Sequence, residues 1–225
     1  MEPGDEYNIQ LNVDDVLRGE GVDPEVVRLR KPPLLRAAEK ALEEGCQKVH
    51  PAVIIHEADV VEHRHERIIL HGGFELGGSL VARHLAGAEQ VTSVVCTIGS
   101  ELEDHASRIF AKNPLLGMSL DGLANAAVEI LSQQVCSRLG EKAQTNGFTT
   151  STPLSPGEPG WPVEVGQPQI FALVDPSNIG IKLTSGGMML PKKSISFVVG
   201  IGKEMAQTDL CEICSLRERC RYRHA

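Results

Sequence analysis

The sequence predicts an α+β fold: a single domain on a mixed or antiparallel sheet, with one long helix and several flanking helices. Three observations predict it. Apolar residues recur at helical spacing in some stretches and alternate in others, without the regular strand–helix alternation of a doubly wound sheet. The runs 53–61 and 67–70 flank a short polar turn and read as a hairpin. The stretch from Leu115 to about Lys142 carries Leu116, Leu120, Leu123, Val128, Leu131, Val135 and Leu139 as one apolar stripe, the longest helical pattern in the chain.

Taken in order, Tyr7, Ile9, Leu11 and Val13 alternate with polar residues and predict a half-buried strand. Asp23-Pro24 fits a helix N-cap followed by proline at the first helical position. Pro32 and Pro33 end that helix, and Leu34 to Val49 reads as a second one with Leu35, Ala38 and Leu42 on one face. The hairpin closes at Gly72-Gly73, and Leu76 to Leu85 reads as a short helix. Gln90 to Ile98 is rich in β-branched residues and predicts a buried strand. Ser100 is placed to cap the next helix, with Glu101 and Glu103 facing its dipole. After the long helix, residues 146–167 hold four prolines and four glycines and read as a loop. Ile170 to Val174 fits helix or strand, and Ile179 to Ile201 reads as a hairpin or meander broken near Gly186-Gly187 and Pro191.

Composition narrows the function. The 225 residues are 41% hydrophobic and 23% charged, ordinary for a globular protein with a sizeable core. A net charge of -8 and only 4% aromatic residues argue against a nucleic-acid partner. No run of about 18 apolar residues stands out as a membrane span, and the acidic start lacks the features of a signal peptide. A cytoplasmic location is therefore expected, with cysteines as thiols or metal ligands. No GxGxxG or phosphate-loop motif follows a predicted strand, which disfavours a nucleotide-binding Rossmann domain.

The sharpest ligand motif is the C-x2-C-x5-C of Cys211, Cys214 and Cys220, in a tail (206–225) set apart from a main domain (1–205). Three thiolates with a fourth partner suit zinc, and three or four suit an iron–sulfur cluster. His224 is near enough in sequence to be the fourth ligand, with Cys96 as a second option that also reads as a buried core thiol. Redox-active or unligated thiols remain the other readings. Four arginines (Arg217, Arg219, Arg221 and Arg223) would favour thiolates there. Cys46 and Cys136 read as packing residues on helices. His63 and His65 share one strand face, with His56 and His71 nearby, but Glu62, Arg64, Glu66 and Arg67 surround them, the mark of a solvated hairpin.

Two stretches carry a functional expectation. The first is Ser155-Pro156-Gly157-Glu158-Pro159-Gly160-Trp161-Pro162, in which fixed and permissive backbone angles can turn N–H and C=O groups toward a ligand. The second, from Leu183 to Ser196, pairs Met188 and Met189 with Lys192, Lys193 and Ser194. Thioethers suit a large irregular apolar surface. Residue chemistry alone favours a structural turn and a core Met pair.

The order and spacing of these stretches resemble the reactivation domain of cobalamin-dependent methionine synthase, in a small stand-alone form. The similarity is strong over 148–202. It is weaker over 90–145, where Thr97-Ile98-Gly99 and the helix with Leu120-Asp121 carry it, and only general over 1–89. The resemblance implies S-adenosylmethionine binding by the loop and following strands, beside a corrinoid. It nominates Ser155, Pro156, Gly157, Glu158, Trp161, Met188, Met189 and Ser194. It also nominates Asn125 or, one turn on, Glu129, where the family has a glutamate that meets the substrate ammonium. The family's carboxylate-gripping arginine is matched by Pro153, and its tyrosine after the Pro-Gly step by Glu158. Lys192 and Lys193 are the candidate replacements for the arginine. No Asp-x-His-x-x-Gly motif is present, so cobalamin would sit on a partner, a corrinoid-binding protein or corrinoid methyltransferase. The implied role is an accessory in reductive methylation of an oxidised corrinoid. The alternative is a non-catalytic docking module with a metal or iron–sulfur tail. No catalytic side chain is implied, because the metal performs the displacement.

Overall fold

The computed structural model describes residues 7–205. Its centre is a six-stranded sheet, antiparallel at every pairing, with helices on both faces. In chain order the strands are β1 (Ala52–Arg64), β2 (Arg67–Leu70), β3 (Glu75–Gly77), β4 (Gln90–Thr97) and β5 (Thr149–Thr150). β6 (Lys182–Leu183), β7 (Met189–Leu190) and β8 (Ser194–Gly202) follow. The sheet order is β3-β2-β1-β4-β8-β5, and β6 and β7 form a separate hairpin.

β4 and β8 are buried on both sides, which explains their nearly unbroken apolar runs. Val94, Cys96, Phe197 and Val199 enter one core, and Val91, Val95 and Val198 enter the other. The first core is covered by α1 (Val13–Gly19), α2 (Pro24–Arg30), α3 (Pro32–Gly45), α5 (Glu101–Phe110) and α6 (Pro114–Thr145). The second is covered by α4 (Ser79–His84), α7 (Val163–Leu173) and the loop between β5 and α7.

α6 has 32 residues and runs about 48 Å at ~1.5 Å per residue. Pro114 sits at its first turn, and the Asn113 side chain accepts the Leu116 N–H at 3.2 Å. All seven residues of its expected stripe are buried. α6 is long and apolar enough to cross a bilayer, which corrects the expectation that no such stretch exists. Within the fold 61% of that window is buried, so its apolarity serves the core. α1 lies against it so closely that a Cβ on Gly19 would overlap the Gly122 carbonyl oxygen.

Several expectations need correction. Residues 7–12 form no strand. Asn12 and Asp15 close a capping box on α1, which converts the end of the alternating run into a helix start. Tyr7 is nevertheless buried, under the Arg138 guanidinium 4.3 Å from its ring centroid. The helix expected from Leu76 is a short strand, β3, then α4. Gly78, at φ +138°, turns the chain between them. The 146–167 loop is shorter than expected, because α7 begins at Val163 and runs through Pro168. Ile170 to Val174 resolves as the end of that helix. Ser100 holds the N-cap position of α5 without making a capping bond. Cys46 is exposed rather than packed, and Cys136 is half-buried. Asp23 caps α2 as expected, accepting the Glu25 N–H at 2.9 Å.

Candidate functional site

The end of α1, one face of α5, the first half of α6 and the residues after β7 line an open cavity of about 490 Å³. This volume falls in the ~300–1,000 Å³ range of small-ligand sites. Its far wall is Lys193, whose side chain is only 15% exposed. The Lys193 ammonium donates to Asp121 Oδ1 at 2.6 Å and to Asn125 Oδ1 at 2.8 Å. Asn125 is held in turn by α1, its Nδ2 donating to the Gly19 carbonyl at 3.1 Å. Asp121 and Asn125 are four residues apart and share one face of α6. Lys192 pairs with Glu103 at 3.3 Å, and its backbone N–H donates to the same carboxylate at 2.9 Å.

Glu20 closes the α1 side. Burial pushes its carboxyl above the usual range, and the neighbouring Ser119 hydroxyl draws it partly back. Neither Glu20 Oε1 nor Ser119 Oγ makes a well-formed hydrogen bond among the described residues. Phe110 and Met118, 50% and 52% exposed, give the cavity an apolar rim.

A second cluster lies where the Pro-Gly loop, α7 and the β6–β7 hairpin meet. A Cβ on Gly157 or Gly187 would lie 3.2 or 3.3 Å from a Val163 methyl. The loop is cross-braced: Gly157 N–H donates to the Trp161 carbonyl at 2.8 Å, and Trp161 N–H to the Glu158 carbonyl at 2.9 Å. Glu158 folds back to accept the Ser155 N–H at 3.0 Å. Its other oxygen is buried without a partner among the described residues, and burial raises its carboxyl. Met188 is 59% exposed at the hairpin, whereas Met189 packs into the second core.

The nominated residues thus divide. Asn125 lines the cavity with Lys192 and Lys193. Glu129 is exposed one turn further, bonded to Gln133 at 3.2 Å, and does not line it. Pro156, Gly157 and Met188 reach the surface of the second cluster, while Ser155 and Glu158 bond to each other within the loop. Trp161 is fully buried, its indole N–H on Gln169 at 3.0 Å, so it holds the loop from beneath and presents no face to a ligand. Ser194 is also buried, its hydroxyl donating to the Pro191 carbonyl at 2.7 Å and lying 2.9 Å from Thr97 Oγ1, which makes it a strut between β4 and β8. The two clusters adjoin in sequence, because β7 runs through Pro191 straight into Lys192.

Glu20, Glu103, Phe110 and Met118 were not legible as site residues. Glu103 was assigned to the helix dipole but reaches Lys192. The Gly19–Gly122 contact that brings Glu20 to α6 leaves only unremarkable glycines in the sequence. Cys211, Cys214, Cys220 and His224 lie outside the described residues. Among the described residues no group of three or more His, Cys, Asp or Glu is arranged to hold a metal. His63 Nε2 lies 3.1 Å from the Ala88 carbonyl. Cys96 is fully buried, its thiol pushed up to about 12 by desolvation.

No family model matches the sequence, and no curated protein does. The fold is similar to a solved structure described as the MetH reactivation domain bound to AdoHcy. The two are 14% identical, with a TM-score of 0.66 over 88% of this chain and 77% of that one. The chain therefore has the fold of the MetH reactivation domain, as the Pro-Gly loop and the hairpin after it led us to expect.

Proposed function

We propose that this protein is an accessory of corrinoid methyl transfer that takes S-adenosylmethionine as methyl donor for a corrinoid held on a separate protein. The observation that carries this reading is Lys193. It supplies a largely buried cation beside Asn125, on a fold like that of the MetH reactivation domain but without the loop arginine. The donor's amino-acid end fits the cavity: its carboxylate suits Lys192 and Lys193, and its ammonium suits Asp121 and Glu20. Pro156, Gly157 and Met188 offer a rim on which the rest of the donor and the partner's corrinoid would rest. The corrinoid supplies the cobalt nucleophile; this chain's residues bind, orient and exclude water.

The test is calorimetric titration of anaerobically purified protein with S-adenosylmethionine. Saturable binding, weakened about tenfold or more by Lys193→Met, is the expected result. No heat up to millimolar ligand would sink the donor reading. It would favour the second reading, a corrinoid-protein docking module, which Glu158 also supports by turning into the loop where the family has a tyrosine. We further propose that Cys211, Cys214 and Cys220 hold zinc or an iron–sulfur cluster. Metal analysis with an absorption spectrum of the anaerobic protein separates the two.

A further inference from the structure

We infer that the cavity discriminates by charge, preferring a sulfonium amino acid to the corresponding thioether. Its charged walls are three carboxylates, Glu20, Glu103 and Asp121, against two ammoniums, Lys192 and Lys193. Four of these are matched in pairs, Lys192 with Glu103 at 3.3 Å and Lys193 with Asp121 at 2.6 Å. Glu20 is left over, with no cation paired to it among the described residues and only the Ser119 hydroxyl beside its buried carboxylate.

A carboxylate withdrawn from water without a partner is costly, and an incoming cation relieves that cost. Among the described residues the site therefore carries one negative charge with no cation opposite it. S-adenosylmethionine carries a carboxylate, an ammonium and a sulfonium, one net positive charge. Its demethylated product, S-adenosylhomocysteine, carries none. The donor complements the cavity, and the product does not. Phe110, half exposed in the same wall, favours the same choice, because an aromatic ring attracts a sulfonium and not a neutral thioether. Glu20 is thus a specificity residue that favours loading of donor and release of product. This inference rests on the donor reading for its natural ligand, but the charge match holds for any sulfonium amino acid.

The experiment titrates the full chain with two pairs of probes, S-adenosylmethionine against S-adenosylhomocysteine and S-methylmethionine against methionine. Each titration is repeated on Glu20→Gln, an isosteric change whose folding is checked by its melting temperature. Each sulfonium is expected to bind about five- to tenfold more tightly than its thioether, the scale of one partly screened charge pair. Glu20→Gln should bring both ratios to within about twofold, the sulfonium of each pair losing more affinity than its thioether. A native ratio near one, or a ratio that survives Glu20→Gln, overturns the inference. If neither nucleoside binds but S-methylmethionine keeps its Glu20-dependent preference, the donor reading falls and the charge selectivity stands. If both nucleosides bind equally, the donor reading stands and the charge selectivity falls. If no probe binds, both fall.

Discussion

Both sides of the sheet are packed largely by aliphatic residues, but on one side long helices supply them, whereas on the other a single large ring, Trp161, anchors the covering loop. Beneath α1, α3 and α6 the core is mainly a mesh of Leu, Val and Ala, joined by Tyr7 and Phe197, with Gly19 and Gly122 letting two helix backbones meet. Beneath α7 and the Pro-Gly loop, Trp161 is fully buried, and Gly166 leaves room for both Trp161 and Pro156. Ser196 and Gln167 join the loop side to β8 through a buried hydrogen bond of 2.9 Å. Redundant packing spreads the loss of one side chain over many neighbours. A keystone concentrates it.

The largest expected effect breaks the keystone. Trp161→Ala should cost about 3–5 kcal/mol, and Leu131→Ala on the helical side about 2–5 kcal/mol. The sharper distinction is spatial. Hydrogen exchange should rise locally across 155–167 in the tryptophan variant, and only through global unfolding in the leucine variant. Equal local opening in both would erase the contrast between the two sides.

Two glycine substitutions come next. A Cβ at Gly166 meets the Pro156 and Trp161 side chains at 2.8 Å, whereas one at Gly19 meets backbone of α6. Each Gly→Ala change should destabilise by about 1–3 kcal/mol, with Gly19→Ala at the upper end because a helix and not a side chain must move. Denaturant melts of the two variants, read together, rank the two contacts. Gly19→Ala should also deform the cavity and weaken ligand binding, which Gly166→Ala should leave intact there.

The smallest effects come from one half-buried carboxyl on each side, Glu20 and Glu158. Burial raises both, so the folded chain holds each proton at a pH where the unfolded chain has released it. Stability from these groups therefore falls as pH rises through that interval, and at neutral pH each is a net cost. Glu20→Gln should stabilise the protein at pH 7 by less than about 1 kcal/mol, after allowance for solvent screening. Glu158→Gln should gain less, because the Glu158 carboxylate accepts the Ser155 N–H. Both gains should vanish below about pH 4.3, where the unfolded chain is protonated too. Melting temperatures across pH 4–8 check the sign.

The two sides also differed in how far the sequence revealed them. The helical side announces itself through period: the α6 stripe, the Asp23-Pro24 start and the β-branched run of β4 all occupy the elements they suggest. The loop side has no period. Gly78 and Val163, which decide where β3 ends and α7 begins, act through single backbone angles and contacts. Trp161 looks like a binding residue in a loop of prolines and glycines, and only its neighbours reveal it as core. The cavity was half legible. Asn125, Lys192 and Lys193 stood out as replacements for a missing pattern, but Glu20 and Glu103 come from helices whose packing no local signal records.

The pairing of β4 with β8 has a further consequence, in time. Thr97 lies opposite Ser194, and Gln90 opposite Ile201, so the two central strands are separated by roughly half the chain. At a synthesis rate of ~5–20 residues per second, β4 waits on the order of 5–20 s for its inner neighbour. During that interval β1 protects one edge of β4, and the other, strongly apolar edge stands open. α5 and α6 are made in the same interval, and α6 lies across the face that β4 contributes to the first core. The long helix is thus made before the strand that completes the sheet's centre, and it is available to shield one face of β4 while that strand is still being synthesised.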